Sequence, residues 1–269
     1  MIRVALSLAK REFTRFMRQP QRVIGTVAQP ILFWLFLGSG FSSSFRAPGM
    51  ANVSYLEYFY PGVMLMMMLF ASIFSSITII EDRDAGFLQS VLVAPVSRLA
   101  IVLGKVLGGT AIAMVQVLIF TLAAPFLGLH LGLGSLAVLI GAFILSSMGF
   151  AAMGFYFAWG MRSSAGFHAI MMVFLMPLWM LSGALFPIEQ APLWLHVVMS
   201  INPVHHALTL IRAPFYMTPV EMFANSDWLI ALGVTLLWAV ACLGGSMARV
   251  EKREKGAVAR AYGLHEAAI

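Results

Sequence analysis

Between Lys105 and Arg162 the chain reads VLGGTAIAMVQVLIFTLAAPFLGLHLGLGSLAVLIGAFILSSMGFAAMGFYFAWGM, without a single Asp, Glu, Lys or Arg. Similar uncharged stretches recur along the 269 residues, of which 61% are hydrophobic and only 10% are charged. A soluble domain of this length needs far more charge on its surface. The sequence therefore predicts that lipid surrounds most of the chain.

The uncharged stretches predict six transmembrane helices, because about 20 apolar residues cross the hydrocarbon core of a bilayer. The quoted stretch is long enough for two crossings, and the segment from Gly128 to Gly134 separates them. A β-barrel has short alternating strands rather than continuous apolar runs, so helices are favoured. We expect spans over residues 23–41, 58–80, 103–127, 135–160, 167–186 and 228–247.

The basic residues predict the orientation of these spans. All Lys and Arg residues except Arg46 and Arg212 fall on one side of the six-span topology, the side that also holds both termini. The positive-inside rule places this side in the cytoplasm. Topology and contact with anionic membrane lipids account for the net charge of +6, so no nucleic-acid partner is expected.

Residues 1–22 precede the first span, and residues 2–18 fit an amphipathic helix at the membrane surface. At about 100° per residue, one face carries Arg11, Arg15, Arg18 and Arg22. Such a helix lies in the headgroup layer with its arginines toward anionic lipid or toward a docked protein. The residues leave open whether it only anchors the topology or also braces a partner. The opposite face carries Ile2, Leu6, Ala9, Phe13 and Phe16.

The loop after the second span is expected to hold a short helix outside the membrane. The charged cluster Glu81-Asp82-Arg83-Asp84 ends the span, and Pro95 ends the short helix. This helix must bury its apolar stripe in the headgroup layer or in a groove of another protein, and both remain open. The stripe is formed by Phe87, Leu88, Val91 and Leu92.

The loop over residues 187–227 lies on the opposite side. Its segment 190–211 is uncharged, yet it contains two prolines, an asparagine and three histidines. A crossing there would reverse the last span and put the basic tail outside. We therefore expect re-entrant or interfacial helices that are buried against protein.

Two motifs in these loops resemble those of the type-2 ABC exporter permeases, the membrane subunits of bacterial ATP-driven exporters. The first runs from the charged cluster at 81–84 through Gly86-Phe-Leu-Gln89 to Ala94-Pro-Val-Ser-Arg98. The resemblance covers essentially the whole chain, and the two motifs occur in order on opposite predicted sides. The second motif comprises Leu181-Ser-Gly-Ala-Leu-Phe-Pro187, Pro192-Leu-Trp-Leu195, Asn202-Pro203 and Arg212.

The resemblance implies an all-α integral membrane protein whose 269 residues form one permease domain with six spans. Residues 1–22 would form an interfacial connecting helix, residues 81–100 a cytoplasmic coupling loop, and residues 187–227 an external re-entrant hairpin. A coupling helix over 84–95 would sit in a groove of a separate cytoplasmic ATPase subunit. The contact would involve Glu81, Asp82, Arg83, Asp84, Gly86, Phe87, Leu88, Val91, Leu92, Pro95 and Arg98. The external gate would involve Pro187, Asn202, Pro203 and Arg212.

The sequence lacks the phosphate-binding motif Gly-x-x-x-x-Gly-Lys-Ser/Thr, since Gly104-Lys105 is followed by Val106. ATP and Mg²⁺ would therefore belong to the ATPase, two copies per complex, and this chain would bind no cofactor. Six spans form half of an exporter in this family, so a second permease copy or a paralogue is expected in the bacterial inner membrane. Adjacent His205 and His206 do not share a helix face, so no metal site is expected.

An amphipathic or hydrophobic cargo, such as a drug, a lipid or a lipid-linked glycan, fits the apolar spans. Candidate path residues in the second span are flexible or aromatic, although ordinary packing and lipid contact are the favoured explanation for them. An ion-driven secondary transporter usually buries charges near mid-membrane, and the predicted spans hold essentially none. A membrane scaffold that mounts an ATPase for a non-transport role also fits. The path candidates are Met64, Met67, Phe70 and Phe74.

Overall fold

The computed structural model describes residues 1–41, 53–93 and 96–261, and these ranges contain helices and turns but no strand. Pro95 of the predicted coupling helix lies outside the described residues, and so does the side chain of Leu92. The α-helices in these ranges are α1 (Ile2–Met17), α2 (Pro20–Phe41), α3 (Tyr55–Ser75), α4 (Ile77–Asp84), α5 (Phe87–Val93), α6 (Arg98–Thr121), α7 (Leu133–Gly160), α8 (Ser164–Trp179), α9 (Leu193–Ile201), α10 (Pro203–Arg212), α11 (Pro219–Ala224) and α12 (Ser226–Ala261).

Six helical segments are long and apolar enough to cross a membrane, which confirms the predicted all-α class and the number of spans. The third span differs most from its predicted bounds. It begins at Arg98, where the Ser97 hydroxyl caps the helix, so Lys105 lies about two turns into the helix and not near its start. It ends at Thr121 because Pro125 lies in a separate 3₁₀ turn. The segments are Val23–Phe41, Tyr55–Asp84, Arg98–Thr121, Leu133–Gly160, Ser164–Ala184 and Ser226–Lys252.

Helix α3 occupies the centre of the bundle and contacts α2, α6, α7, α8 and α10. Its aromatic side chains pack tightly against those of its neighbours. The Trp34 ring lies 5.7 Å from the Tyr60 ring, measured between centroids, and Trp179 Nε1 donates a hydrogen bond of 2.8 Å to the Gly62 carbonyl. Lipid is as apolar as these side chains, so close packing and hydrogen bonds rather than hydrophobic burial hold the spans together.

Glycines on α6 allow α1 to approach closely. A Cβ atom at Gly104 would lie 2.7 Å from the Cβ of Leu8, and one at Gly108 would lie 2.7 Å from the Cβ of Glu12. On another face of the same helix, Gly109 makes room for α3 and α7. The glycines therefore fix where α1 docks on the bundle.

The buried face of α1 differs from the predicted apolar face. Ala5, Leu8, Glu12 and Phe16 are buried, whereas Ile2 and Leu6, which the helical wheel groups with Phe16, are exposed. The physical reason is that α1 packs on the glycines of α6 and not on lipid alone. We call the end of the bundle that carries α1 and α5 the basic end, and the opposite end with α9 and α10 the hairpin end.

Candidate functional site

A buried ion-pair network joins α1, α4 and α6 at the basic end. The ammonium of Lys105 contacts the Asp82 carboxylate and lies 2.7 Å from Glu12 Oε1 and 3.3 Å from the Thr78 hydroxyl. The Lys105 side chain is 5% exposed, that of Glu12 4% and that of Asp82 2%. Buried charges persist only when they are paired and hydrogen-bonded. The network therefore holds these helices in one relative position.

Two arginines of α1 complete this network. Arg11 binds the Asp82 carboxylate with both terminal nitrogens, at 2.8 and 2.9 Å. Arg15 donates to Asp82 at 3.0 Å and to Glu81 at 2.6 Å. The hydrogen bonds from Arg11 to Asp82 raise the pKa of Arg11 above its ordinary value, so the guanidinium stays charged. Arg11 and Arg15 thus face the chain's own carboxylates, and not lipid or a docked protein as their spacing predicted.

The short helix α5 is tied to the same network. Gly86 has a φ of 75°, a left-handed conformation that glycine adopts without strain and that turns the chain from α4 into α5. The Arg11 guanidinium then stacks on the Phe87 ring at 3.8 Å from the centroid. Arg83 fastens the root of this loop to the end of α7, because its guanidinium donates to the carbonyls of Trp159 and Met161 at 2.9 and 2.6 Å.

The described side chains of the apolar stripe of α5 pack, fully or in part, against the chain's own bundle. Leu88 is 4% exposed and belongs to the chain's own core, and Phe87 and Val91 are half-buried. The contact of Leu88 and Asp82 with an ATPase stays a prediction, and in this structure both side chains are buried within the chain. Among the described residues of this loop, Asp84, Ala85, Gln89, Ser90 and Ser97 are exposed, and Arg98 is exposed on the first turn of α6.

At the hairpin end, α8 gives way to a π-helical turn at Met180–Ala184, and Gly183 within it has a φ of 89°. The Gly183 carbonyl accepts hydrogen bonds from the Tyr58 hydroxyl at 2.8 Å and from Arg212 at 2.9 Å. The Arg212 guanidinium also lies 4.3 Å from the centroid of the Tyr58 ring. Arg212 therefore joins α10 to the broken end of the fifth span and to α3.

Asn202 connects the two hairpin helices to the same break. Its Oδ1 caps α10 by accepting from the Val204 N–H at 3.0 Å, and Pro203 occupies the first position of that helix. Its Nδ2 donates to the carbonyls of Leu178 and Leu181 at 2.7 and 3.1 Å. Two of the four predicted gate residues, Asn202 and Arg212, thus bond to the end of α8 or to the turn that follows it, and a third, Pro203, begins α10.

The fourth, Pro187, lines a cavity of about 550 Å³ together with Arg212. His205 also lines this cavity, and its Nδ1 lies 2.7 Å from the Ser182 carbonyl. Burial lowers the pKa of His205, and burial raises the pKa of Tyr216 in the same wall to about 12. The sequence offered no signal for the roles of Tyr58 and Tyr216, since tyrosines are common in apolar spans and at membrane interfaces.

The proposed path residues of the second span occupy two environments. Met64 and Met67 are completely or almost completely buried in the core, which favours ordinary packing for them. Phe70 and Phe74 are half-buried, and the Phe74 ring stacks on exposed His168 with centroids 4.5 Å apart. A role in a substrate path remains a prediction for these two aromatic residues.

Six apolar spans, a short helix fastened to their basic end and a hairpin docked on a broken span indicate a multi-pass membrane protein. The family model for the ABC-2 type transporter matches residues 3–216, so the chain belongs to the ABC-2 type transporter family. It is therefore a transmembrane permease subunit of an ABC transporter.

Three similar proteins align with most of this chain. The putative transport permease ycf38 of Cyanophora paradoxa is 30% identical over 227 residues, which cover 83% of this chain and 75% of the relative. The daunorubicin resistance ABC transporter permease protein DrrB1 of Streptomyces coeruleorubidus is 24% identical, with 75% and 71% covered. Nodulation protein J of Neorhizobium galegae is 27% identical, with 87% of each chain covered.

Proposed function

We propose that this chain is the membrane half of an ATP-driven exporter in the bacterial inner membrane, with both termini in the cytoplasm. A second permease copy or a paralogue would complete the path. Two copies of a separate ATPase would bind ATP and Mg²⁺ and supply the energy, as ABC-2 permeases generally work with an ATPase subunit. The cargo would be amphipathic or hydrophobic, for example a drug, a lipid or a lipid-linked glycan.

The observation that carries this proposal is the attachment of α4 and α5 to three other helices. Arg11 stacks on Phe87 and binds Asp82, Lys105 binds Asp82 from α6, and Arg83 binds the end of α7. Separating buried charges from their partners costs several kcal/mol. A displacement of α5 by an outside subunit would therefore move α1, α6 and α7 with it, as a coupling element requires.

The described part of the loop around α5 offers a polar edge. Among the side chains that the structure describes there, Asp84, Gln89 and Ser90 are exposed, whereas Leu88 is buried in the bundle and Phe87 and Val91 are half-buried. We infer that the ATPase receives this polar edge. Polar side chains at the rim of an interface set the orientation and the specificity of the contact. The stiffness that transmits a movement comes from the loop formed by α4 and α5.

Orientation and cargo rest on separate arguments. The concentration of Lys and Arg on the side of the termini supports a cytoplasmic basic end, and hence a partner that works in the cytoplasm. One relative is named for daunorubicin resistance, which supports outward movement of a toxic compound. Another is named for nodulation, so the relatives do not share one cargo by name.

A scaffold that mounts an ATPase for a non-transport role is the second candidate. It would use the same contact at α5, and it differs by showing no stimulation of ATP hydrolysis by cargo. An ion-coupled secondary transporter is disfavoured, because Asp82 and Lys105, charged residues near the ends of described spans, are already paired with each other.

Co-purification of the ATPase tests the proposed contact. Ser90→Trp places a bulky side chain on the exposed edge of α5, and we expect it to abolish recovery of the ATPase while leaving the thermal stability of the permease unchanged. Ala224→Trp, an equally exposed site at the hairpin end, is the matched control and should retain the ATPase. Full ATPase recovery with Ser90→Trp would argue against docking at α5.

A further inference from the structure

A basic groove of about 680 Å³ runs along the outer side of α1. The groove is lined by four cations and by hydroxyl groups, and its lining contains no carboxylate. The groove lies on another side of α1 from the buried ion-pair network, although Arg11 and Arg15 belong to both the groove and the network. The lining includes Ser7, Lys10, Arg11, Thr14, Arg15 and Arg18.

The cations of the groove fall into two pairs. Arg11 and Arg15 are neutralised by Asp82 and Glu81. Lys10 and Arg18 are exposed and form no ion pair among the residues that the structure describes. Since Lys10, Thr14 and Arg18 are spaced four residues apart, they share one face of α1 and can bind the same anion. Two cations and a hydroxyl are therefore available for an outside ligand.

An exposed apolar strip lies beside these cations on the same helix. Ile2 is 72% exposed, Leu6 56% and Met17 47%. At 100° per residue these side chains fall next to Lys10 and away from the face that is buried on α6. The strip continues toward α2, whose first spanning residue is Val23. A ligand that fits both features has an anionic head and an apolar body.

We propose that this groove binds the phosphate headgroup of an anionic phospholipid, with Lys10 and Arg18 on the phosphate and the acyl chains along Ile2, Leu6 and Met17. An acidic protein surface would satisfy the cations but offers nothing for the apolar strip. A phospholipid in the adjacent leaflet satisfies both. The bound lipid would anchor α1, and through Arg11 it would lie next to the root of α5.

Lipid retention tests this site directly. The full-length protein is first placed in nanodiscs that contain equal amounts of phosphatidylcholine and phosphatidylglycerol. It is then transferred into detergent, and the lipid that stays bound is measured by native mass spectrometry. We expect selective retention of phosphatidylglycerol, and a loss of about tenfold or more in the variant Lys10→Gln/Arg18→Gln, because each cation near an anionic lipid contributes about a factor of five.

The matched control is Arg162→Gln/Lys252→Gln, which removes two exposed cations from the same end of the bundle. It should retain phosphatidylglycerol like the unmodified chain, and both double variants should keep the same melting temperature. Equal retention in all three proteins would overturn the proposal. So would normal retention combined with loss of the ATPase in Lys10→Gln/Arg18→Gln, since the groove would then be a protein-docking surface.

Discussion

The ammonium of Lys105 contacts the carboxylate of Asp82, and both side chains are almost completely excluded from solvent. One residue stands on the third span and the other at the end of the second, directly before the turn into α5. Arg11 reaches the same carboxylate from α1. Asp82 is thus the point at which three parts of the basic end are held together.

Removal of the Asp82 charge should be strongly destabilising. Asp82→Asn leaves Lys105 buried with Glu12 alone and leaves Arg11 without its bidentate partner. Breaking a buried ion pair from one side costs about 3–5 kcal/mol. We expect a large fall in melting temperature of the purified protein, measured by tryptophan fluorescence.

Asp84→Asn is the control for that variant, because Asp84 is exposed and lies two residues away on the same helix. Its effect should stay within about 0.5 kcal/mol. Similar melting temperatures for the two variants would show that the buried network does not stabilise the basic end.

The docking of α1 depends on the absence of a side chain at Gly108. In Gly108→Ala the new methyl group would lie 2.7 Å from the Cβ of Glu12, and neither backbone can yield easily. We expect a loss of about 1–3 kcal/mol from this overpacking. A Cβ atom at Gly141 meets no atom within 4 Å, so Gly141→Ala should gain up to about 1 kcal/mol from helix propensity. Thermal unfolding of both variants gives the comparison, and the reverse order would contradict the proposed packing.

The two roles of Asn202 can be separated by one substitution. Asn202→Asp keeps an oxygen for the Val204 N–H but replaces the donor that bonds the Leu178 and Leu181 carbonyls. We expect a loss of about 2 kcal/mol or more, since a buried carboxylate would face two carbonyl oxygens. The measurement is the free energy of unfolding in a denaturant series.

Asn225→Asp provides the reference for that experiment. The Oδ1 of Asn225 accepts from the Trp228 N–H at the start of α12, in the same capping role. Because Asp and Asn cap equally well, Asn225→Asp should be nearly neutral. If both substitutions proved neutral, the bond from Asn202 to the broken span would carry no stability.

Stability of the hairpin end should decrease with acidification. Burial lowers the pKa of His205, an effect that His206 and Arg212 reinforce and that Glu189 and the bond to the Ser182 carbonyl oppose. The unfolded chain, whose histidine has a pKa of about 6.5, therefore binds the proton first, and stability falls as the pH drops below about 6.5.

Melting temperatures between about pH 8 and pH 5 test this expectation. His205→Gln should flatten the acidic part of the curve, because a neutral side chain keeps a donor for the Ser182 carbonyl. His130→Gln removes an exposed histidine and should leave the slope in place. An identical slope in His205→Gln would assign the pH dependence to another group.

Patterns local in sequence predicted much of this architecture. Apolar runs of the right length indicated six spans, and the motif around Asn202 and Arg212 indicated a special structure after the fifth. Each of these signals depends on residues that are neighbours along the chain.

Pairings between distant residues could not be predicted in the same way. Glu12 and Lys105 are 93 positions apart, and no pattern in the sequence near either residue predicts that they form an ion pair. The apolar stripe of α5 did not indicate what covers it, and the resemblance placed Leu88 against an ATPase, whereas in this structure the bundle itself covers Leu88. The left-handed conformation of Gly183 could not be predicted either, because it depends on Tyr58 and Arg212, which are distant in sequence and both donate to the Gly183 carbonyl.

The most direct test of the central claim is accumulation of a fluorescent amphipathic drug in inverted membrane vesicles. Vesicles that contain this chain together with its ATPase should accumulate the drug when ATP is added, and vesicles with either protein alone should not. Accumulation by the chain alone under an ion gradient, without ATP and without an ATPase, would contradict the account.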